Sequence, residues 1–505
     1  MELLAPAGNL TKLKIALLYG ADAVYLGGRA ASLRSNAEFS IEELKPAVDY
    51  CRSLGKKAYI TANIIPHNRD LGVMREYLQE VAKTAPDGVI ISDLGVFDLC
   101  QKHAPNVPIH ISTQANNTNY HAGIKWHEMG AKRIILAREL TLDEIKEYRE
   151  NASNSLELEV FVHGAMCMGY SGRCLISNYL THRNANAGAC AQPCRWEWTV
   201  DSRQPAVSKP QASTVKGRCL AEQDGGVRLS NGEQTIELHE GEPCWEWTVD
   251  SRQSAVSEPQ ASTVKGRCLA EQGGGVRLSN GEQTIELHES EPLSTTNCQL
   301  STTGGTFFLN SKDMCLIRHL RELAKIGITS LKIEGRNKSE YYAAAVTKAY
   351  RTELDNIKNI RPFDEKLLDE LEKVSHRPYS YNFGELDQIY GSSSYIRSME
   401  VVGIAAEKEA FDAVVGATIS RPHFEEPHSS LSTVNCQLLP CFQRGKICAG
   451  DALEILTPTG TNIKIERAEI FDPLTLAPIE STPHPEMPFY LKSPIPVPPN
   501  SFIRK

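Results

Sequence analysis

The chain has 505 residues, 41% hydrophobic and 23% charged, with a formal net charge of −8. That length can bury a large core spread over about two or three domains, in an ordinary soluble balance. The negative charge excludes a global attraction to nucleic acid, so any such binding must come from a local patch. No run approaches the roughly 18 apolar residues that a membrane-spanning helix requires. The opening MELLAPAG reads as a buried strand and lacks the basic and apolar regions of a secretory signal. Fourteen cysteines without such a signal are expected in a reducing cytoplasm, where thiols bind metals and do not pair.

Short apolar runs alternate with helical patterns along the first 350 residues. Strands are expected at Glu2–Ala5, Ala23–Leu26, Lys57–Asn63, Gly88–Ile91, Ile109–Ser112, Arg133–Leu136, Glu157–Val162 and Ser330–Ile333. Amphipathic stretches such as Leu10–Tyr19, Ile41–Leu54, Val73–Ala82 and Leu142–Arg149 separate them. Continuous apolar strands joined by helices are parallel strands buried on both faces. Eight such units predict an α/β fold, a (β/α)8 TIM-like barrel over residues 1–195 and 306–378. An open doubly wound sheet is the alternative, but no Gly-rich dinucleotide fingerprint follows the first strand.

Residues 196–305 interrupt the pattern. Trp196–Pro243 and Trp245–Pro292 are two copies of one 48-residue unit, differing only at Pro205/Ser254, Lys209/Glu258, Asp224/Gly273 and Gly241/Ser290. Stacked repeat folds generally need at least three units, so a duplicated surface insertion is expected, each copy turning a hairpin at its Ser-Asn-Gly. Cys219 and Cys268 are copies of one position and make poor ligand candidates. Leu293–Leu300 (LSTTNCQL) and Leu431–Leu438 (LSTVNCQL) read as a translated seven-base tandem repeat, which makes Cys298 and Cys436 incidental. A helix is expected at Asp364–Val374. Residues 398–505 carry β-branched runs at Asp412–Ile419, Ala452–Leu456 and Asn462–Glu466, which predicts a small C-terminal antiparallel β domain.

Barrel enzymes place their chemistry at the C-terminal ends of the strands. Those ends offer Asn63, Asp93, Ser112, Gln114, Arg138, Glu139, His163, Glu334 and Arg336. Each has a plain structural alternative, such as a helix cap for Asp93, but together they make one polar face. Beside that face, Cys167, Cys174, Cys190 and Cys194 fall within 28 residues, interleaved with glycines. Four thiols so placed suit zinc or an iron–sulfur cluster. Zinc favours two tight pairs spaced by about two to four residues. Only Cys190 and Cys194 come near that, which favours a cluster.

The run Glu159–Ser177, EVFVHGAMCMGYSGRCLIS, resembles the signature of the peptidase U32 (collagenase-like) family. MELLAPAGNL, AVYLGG, GACAQPCRWEW, NSKDM and SLKIEGRNKSEYY extend the resemblance over about Met1–Trp198 and Phe307–Arg377. The chain most resembles the bacterial branch that hydroxylates the wobble uridine of tRNA using prephenate. Relatives hydroxylate 23S ribosomal RNA or serve oxygen-independent quinone synthesis. The resemblance implies a [4Fe–4S] cluster on Cys167, Cys174, Cys190 and Cys194, with Cys194 the ligand that varies most. It implies prephenate as co-substrate, the tRNA anticodon loop as partner and an unnamed electron donor. On the active face, His163, Glu334 and Arg336 are the expected catalytic residues. Arg138, Arg173, Asn63 and Gln114 are expected to bind substrate, Arg138 with Arg336 gripping the anionic donor.

Two alternatives stand beside this reading. One is a U32-type peptidase: His127-Glu128 lacks the second histidine of a zinc-protease motif, Ser171 misses the nucleophile-elbow pattern by one position, and His163 with Cys167 is the remaining pair. The other is a non-catalytic cluster-bearing accessory protein acting on a partner U32 protein in rRNA or quinone hydroxylation.

Overall fold

The computed structural model describes residues 1–28, 39–202, 309–384, 388–418 and 437–505, with residues 226–230, 235–239, 275–279, 284–288 and 305–307 between them. Cys219, Cys268, Cys298 and Cys436 lie outside the described residues. Eight parallel strands form the barrel: β1 (Glu2–Pro6), β2 (Ala23–Gly27), β3 (Lys57–Ala62), β4 (Gly88–Ile91), β5 (Ile109–Ile111), β6 (Ala131–Ile135), β7 (Glu157–Ala165) and β8 (Ser330–Ile333). Each pairs with the next in sequence, and β8 closes the ring by pairing with both β7 and β1. The strands are buried on both faces, which is why their sequences read as nearly unbroken apolar runs.

The helices start where polar caps follow the strands. Asn9, Asp93, Asn119, Thr141 and Ser339 each accept a backbone N–H from the first turn of a helix, satisfying donors that would otherwise be orphaned. Asp93 is thus a cap. The last barrel helix, Glu340–Lys358, buries Tyr342, Val346 and Tyr350 against the strands. Among the described residues no helix is long and apolar enough to cross a membrane.

The lower barrel interior is filled by charge where aliphatic layers are usual. Arg133 donates to Glu2 at 2.8 Å, Glu157 at 2.7 Å and Glu159 at 2.9 Å. Lys332 donates to Glu159 at 3.1 Å, and Arg133 lies over the Tyr59 ring. A buried charge removed from water needs such partners.

In each copy of the insertion the strands on either side of the Ser-Asn-Gly pair antiparallel, as the expected hairpin requires. Gly226–Ser230 pairs antiparallel with Thr235–His239, and Gly275–Ser279 pairs with Thr284–His288 in the same register. Among the described residues only the first hairpin is tied to chain leaving and re-entering the barrel domain, through Trp198–Ser202, which also pairs with Gly305–Thr306.

The C-terminal domain is one antiparallel sheet of β9 (Val401–Ala405), β10 (Gln437–Gln443), β11 (Leu453–Leu456), β12 (Ile463–Ile465), β13 (Ile470–Phe471), β14 (Pro488–Ser493) and β15 (Phe502–Arg504). Its order is β12-β11-β15-β9-β10-β14-β13. The expected strand at Asp412–Ile419 is instead part of a helix, Lys408–Thr418. Its Phe411 is buried against Phe442 and Tyr490, and packing of that face overrides the weak β preference of Val414 and Val415. The domain docks on the barrel through Phe502, which meets Tyr19 and Tyr341, and through the Tyr19 hydroxyl, which donates to the carbonyls of Leu456 and Asn500.

Candidate active site

After Ala165 the chain crosses the mouth of the barrel as a long loop carrying the four clustered cysteines. The loop is anchored at both edges. Ser311 donates to the Met166 carbonyl at 2.9 Å, and Asn116 donates to the Ser171 carbonyl at 2.6 Å. Arg138 donates to the Ala165 carbonyl at 2.8 Å, to Ser171 Oγ at 2.5 Å and to Cys167 Sγ at 3.6 Å. Ser177 joins the two halves, donating to the Arg183 carbonyl and accepting from Ala191 N. Gly172 has φ +79° and lies so near Gln114 that a Cβ would meet its carbonyl oxygen at 2.6 Å; only glycine fits there.

These anchors close a cavity of about 140 Å³ over the barrel. All four cysteines line it, facing Arg138, Lys332, Glu334 and Arg336 across the strand ends. Asn63 and Gln114 also line it, with Tyr25, Thr61 and Ser112. The structure therefore brings together nine of the eleven residues expected from sequence. Arg173 is exposed, donates to Asn116 at 2.8 Å and braces the loop from outside.

His163 is the second exception. Strict alternation along β7 would turn it inward after Glu157, Glu159 and Phe161. A bulge intervenes: Lys332 aligns with Phe161, but the next residue, Ile333, aligns with His163. The extra residue reverses the side-chain direction. His163 is fully buried among Tyr342, Tyr350 and Tyr379. Burial pulls its pKa down to about 3, so the ring is neutral at ordinary pH. It is a core residue, which also removes the His163–Cys167 pair as a hydrolytic dyad.

Lys332 was not singled out in the sequence reading, and its signal was a lysine inside an otherwise apolar strand, Ser330–Ile333. Alternation along β8 turns Lys332 and Glu334 into the barrel, with Leu331 and Ile333 outward against the helices. Lys332 is 4% exposed, with Nζ 4.3 Å from the Tyr25 ring centroid. Burial pulls its pKa down, opposed by Glu159. Arg336, 5% exposed, donates to Thr61 Oγ1 at 3.1 Å. The Tyr25 hydroxyl donates to the Ile333 carbonyl at 2.9 Å and lies 3.5 Å from Glu334 Oε2. Asn63 donates to Ser112 Oγ at 3.4 Å, while its own buried Oδ1 has no partner.

Four of the five other described cysteines contrast with the loop set; the fifth, Cys448, is partly exposed in the C-terminal domain. Cys51, Cys100, Cys315 and Cys441 are buried in apolar surroundings, and burial pushes the Cys51, Cys100 and Cys315 thiols up to about 12. The loop thiols are exposed or partly exposed. Burial raises the Cys174 thiol, and Cys194 to about 11, so binding a metal centre there must release protons. Among the described residues no three His, Cys, Asp or Glu side chains converge as a single-ion site. Four thiols lining one cavity are a donor set that an iron–sulfur cluster would fit.

The sequence matches the profile described as Peptidase family U32 over residues 8–241 and 251–389. It matches that of the Peptidase family U32 C-terminal domain over residues 434–504. It is 34% identical over 478 residues to "tRNA hydroxylation protein P" of Haemophilus influenzae, covering 92% of this chain and 88% of the relative. The protein of the same name in Escherichia coli is 33% identical over 478 residues, with 93% and 89% covered. A third relative, the "23S rRNA 5-hydroxycytidine C2501 synthase" of Escherichia coli, is 35% identical over 207 residues, covering 41% of this chain and 31% of that protein.

Proposed function

The chain belongs to peptidase family U32, and from that premise we propose that it is an RNA hydroxylase acting on the wobble uridine of tRNA. The observation that carries this reading is the single cavity in which four loop thiols face Lys332, Glu334 and Arg336. The names of three relatives support an RNA target. Among the described residues no histidine lines the cavity, since His163 is buried away from it.

In this proposal Cys167, Cys174, Cys190 and Cys194 hold a [4Fe–4S] cluster, which when bound would supply single electrons at the cavity wall. The protein's own residues do the rest. Arg138 fixes the loop and sets a positive charge beside Cys167, favouring an anionic group there. The cations of the cavity floor hold prephenate, the proposed oxygen donor, as a carboxylate. Glu334, within reach of the Tyr25 hydroxyl, takes or returns the proton exchanged when oxygen is added to the base. The target base must leave its stack to enter a cavity this enclosed, which costs least in a single-stranded loop. The anticodon loop meets that condition.

The test is nucleoside mass spectrometry of separated tRNA and 23S rRNA from a strain lacking the gene. Loss of 5-hydroxyuridine derivatives from tRNA, restored by the wild-type gene, is the expected result. Intact tRNA with loss of a hydroxylated base in rRNA would move the target, and no change in either would reject the function.

A further inference from the structure

We propose that Lys332, with Arg336, is the carboxylate-binding floor of the cavity, a role sequence reasoning gave to Arg138 with Arg336. The proposal rests on the reading above, that the site takes an anionic oxygen donor, and it names the residues that receive it. Arg138 is committed elsewhere: its two terminal nitrogens go to the Ala165 carbonyl, Ser171 and Cys167, and its guanidinium lies over the Phe161 ring. It serves the loop.

Lys332 differs. An ammonium has three N–H donors, and one goes to Glu159. The Tyr25 and Phe161 rings flank it at 4.3 and 5.4 Å, leaving it poorly hydrated. Glu159 is also held by Arg133 at 2.9 Å, so it does not spend its whole charge on Lys332. The ring of strands surrounds Lys332, and the residual exposure of its side chain opens on the cavity it lines.

Arg336 lines the same floor, its guanidinium 5.8 Å from the same Tyr25 ring. Arg138, Lys332 and Arg336 line the cavity with one carboxylate, Glu334, while Glu159 holds Lys332 from below. Lys332 and Arg336 on one floor give an incoming carboxylate two cationic groups to meet, and a low-dielectric, enclosed site strengthens such a pairing. A neutral base has no comparable claim on two cations, so the floor discriminates for the small acid and leaves the upper cavity to the RNA.

The test is calorimetric titration of the anaerobically purified full-length protein with prephenate, phenylpyruvate and succinate. Lys332→Met can leave Glu159 poorly compensated and unfold the barrel, so the deciding variant is the neutral pair Glu159→Gln/Lys332→Met. It should weaken binding by about 10-fold or more, the loss expected for a charged hydrogen bond, with the melting temperature retained. Glu159→Gln alone keeps the ammonium, removes its competing carboxylate and should bind the acid more tightly than wild type, whereas a purely structural ion pair would leave the affinity unchanged.

Wild-type affinity in the double variant, or no binding of any of the three acids to wild type, would overturn the proposal. Binding of phenylpyruvate or succinate without prephenate would keep the Lys332 floor and remove prephenate as the oxygen donor. Unchanged acid binding in a protein that hydroxylates no RNA would reject the proposed function and leave this site standing.

Discussion

At the scale of single residues, His163 shows how one bulge decides between chemistry and packing. Its imidazole touches three tyrosine rings and stays neutral because burial disfavours the charged form. Above about pH 6.5 both folded and unfolded chains hold it neutral, and it contributes nothing to the pH dependence of stability. Between about 6.5 and 3 the unfolded chain binds a proton that the native state refuses, so stability falls as pH falls. From pH 6.5 to 5 that amounts to about 2 kcal/mol. Urea unfolding at the two pH values should show wild type losing that much more than His163→Phe; equal losses would place the ring in a solvated site. The cysteine loop was legible from sequence because four thiols among glycines have few other uses. Lys332 was not, because a strand-length apolar run hides one lysine, and whether it meets a partner such as Glu159 depends on strands distant in sequence.

At the scale of elements, the strands were legible because parallel strands buried on both faces need apolar residues throughout. The β7 bulge was not, since an extra residue leaves no mark on composition. Nor was the Lys408–Thr418 helix, where Phe411 and the 2.6 Å Lys408–Asp412 pair settle what Val-Val leaves open. The junction between barrel and C-terminal domain turns on β15. Arg504 is fully buried and bonds to Tyr341 at 2.8 Å, to Glu370 at 2.8 Å through Nη2, and to Glu454. Removing one partner of a buried ion group strands the others. Arg504→Leu should therefore cost about 3 kcal/mol or more in urea unfolding, with the C-terminal sheet loosening first in hydrogen exchange. A change below about 0.5 kcal/mol would show the junction to be a surface contact.

At the scale of the whole molecule, the barrel mouth, the loop and the C-terminal domain form one assembly, and the duplicated segment stands outside its logic. The first hairpin is stitched to Trp198–Ser202 and through it to Gly305–Thr306, whereas the second pairs only with itself among the described residues. Deleting Trp245–Leu293 removes one period of the repeat and keeps the stitched copy. The deletion should leave the melting temperature within a few degrees and tRNA hydroxylation unchanged, as expected for a surface insertion. Loss of hydroxylation with folding intact would make the second copy part of the RNA-binding surface. The duplication was plain in the sequence; which copy joins the fold was not, because identical sequences differ there only in their neighbours.

The central claim is that the four loop thiols and the cavity they line are one cluster-dependent hydroxylating site. The most direct measurement is 5-hydroxyuridine in tRNA from a strain lacking the gene and expressing the Cys174→Ser protein at wild-type level. The account predicts no hydroxyuridine, with iron and acid-labile sulfide lost from the purified variant. Hydroxyuridine restored by a Cys174→Ser protein that carries no iron would contradict it.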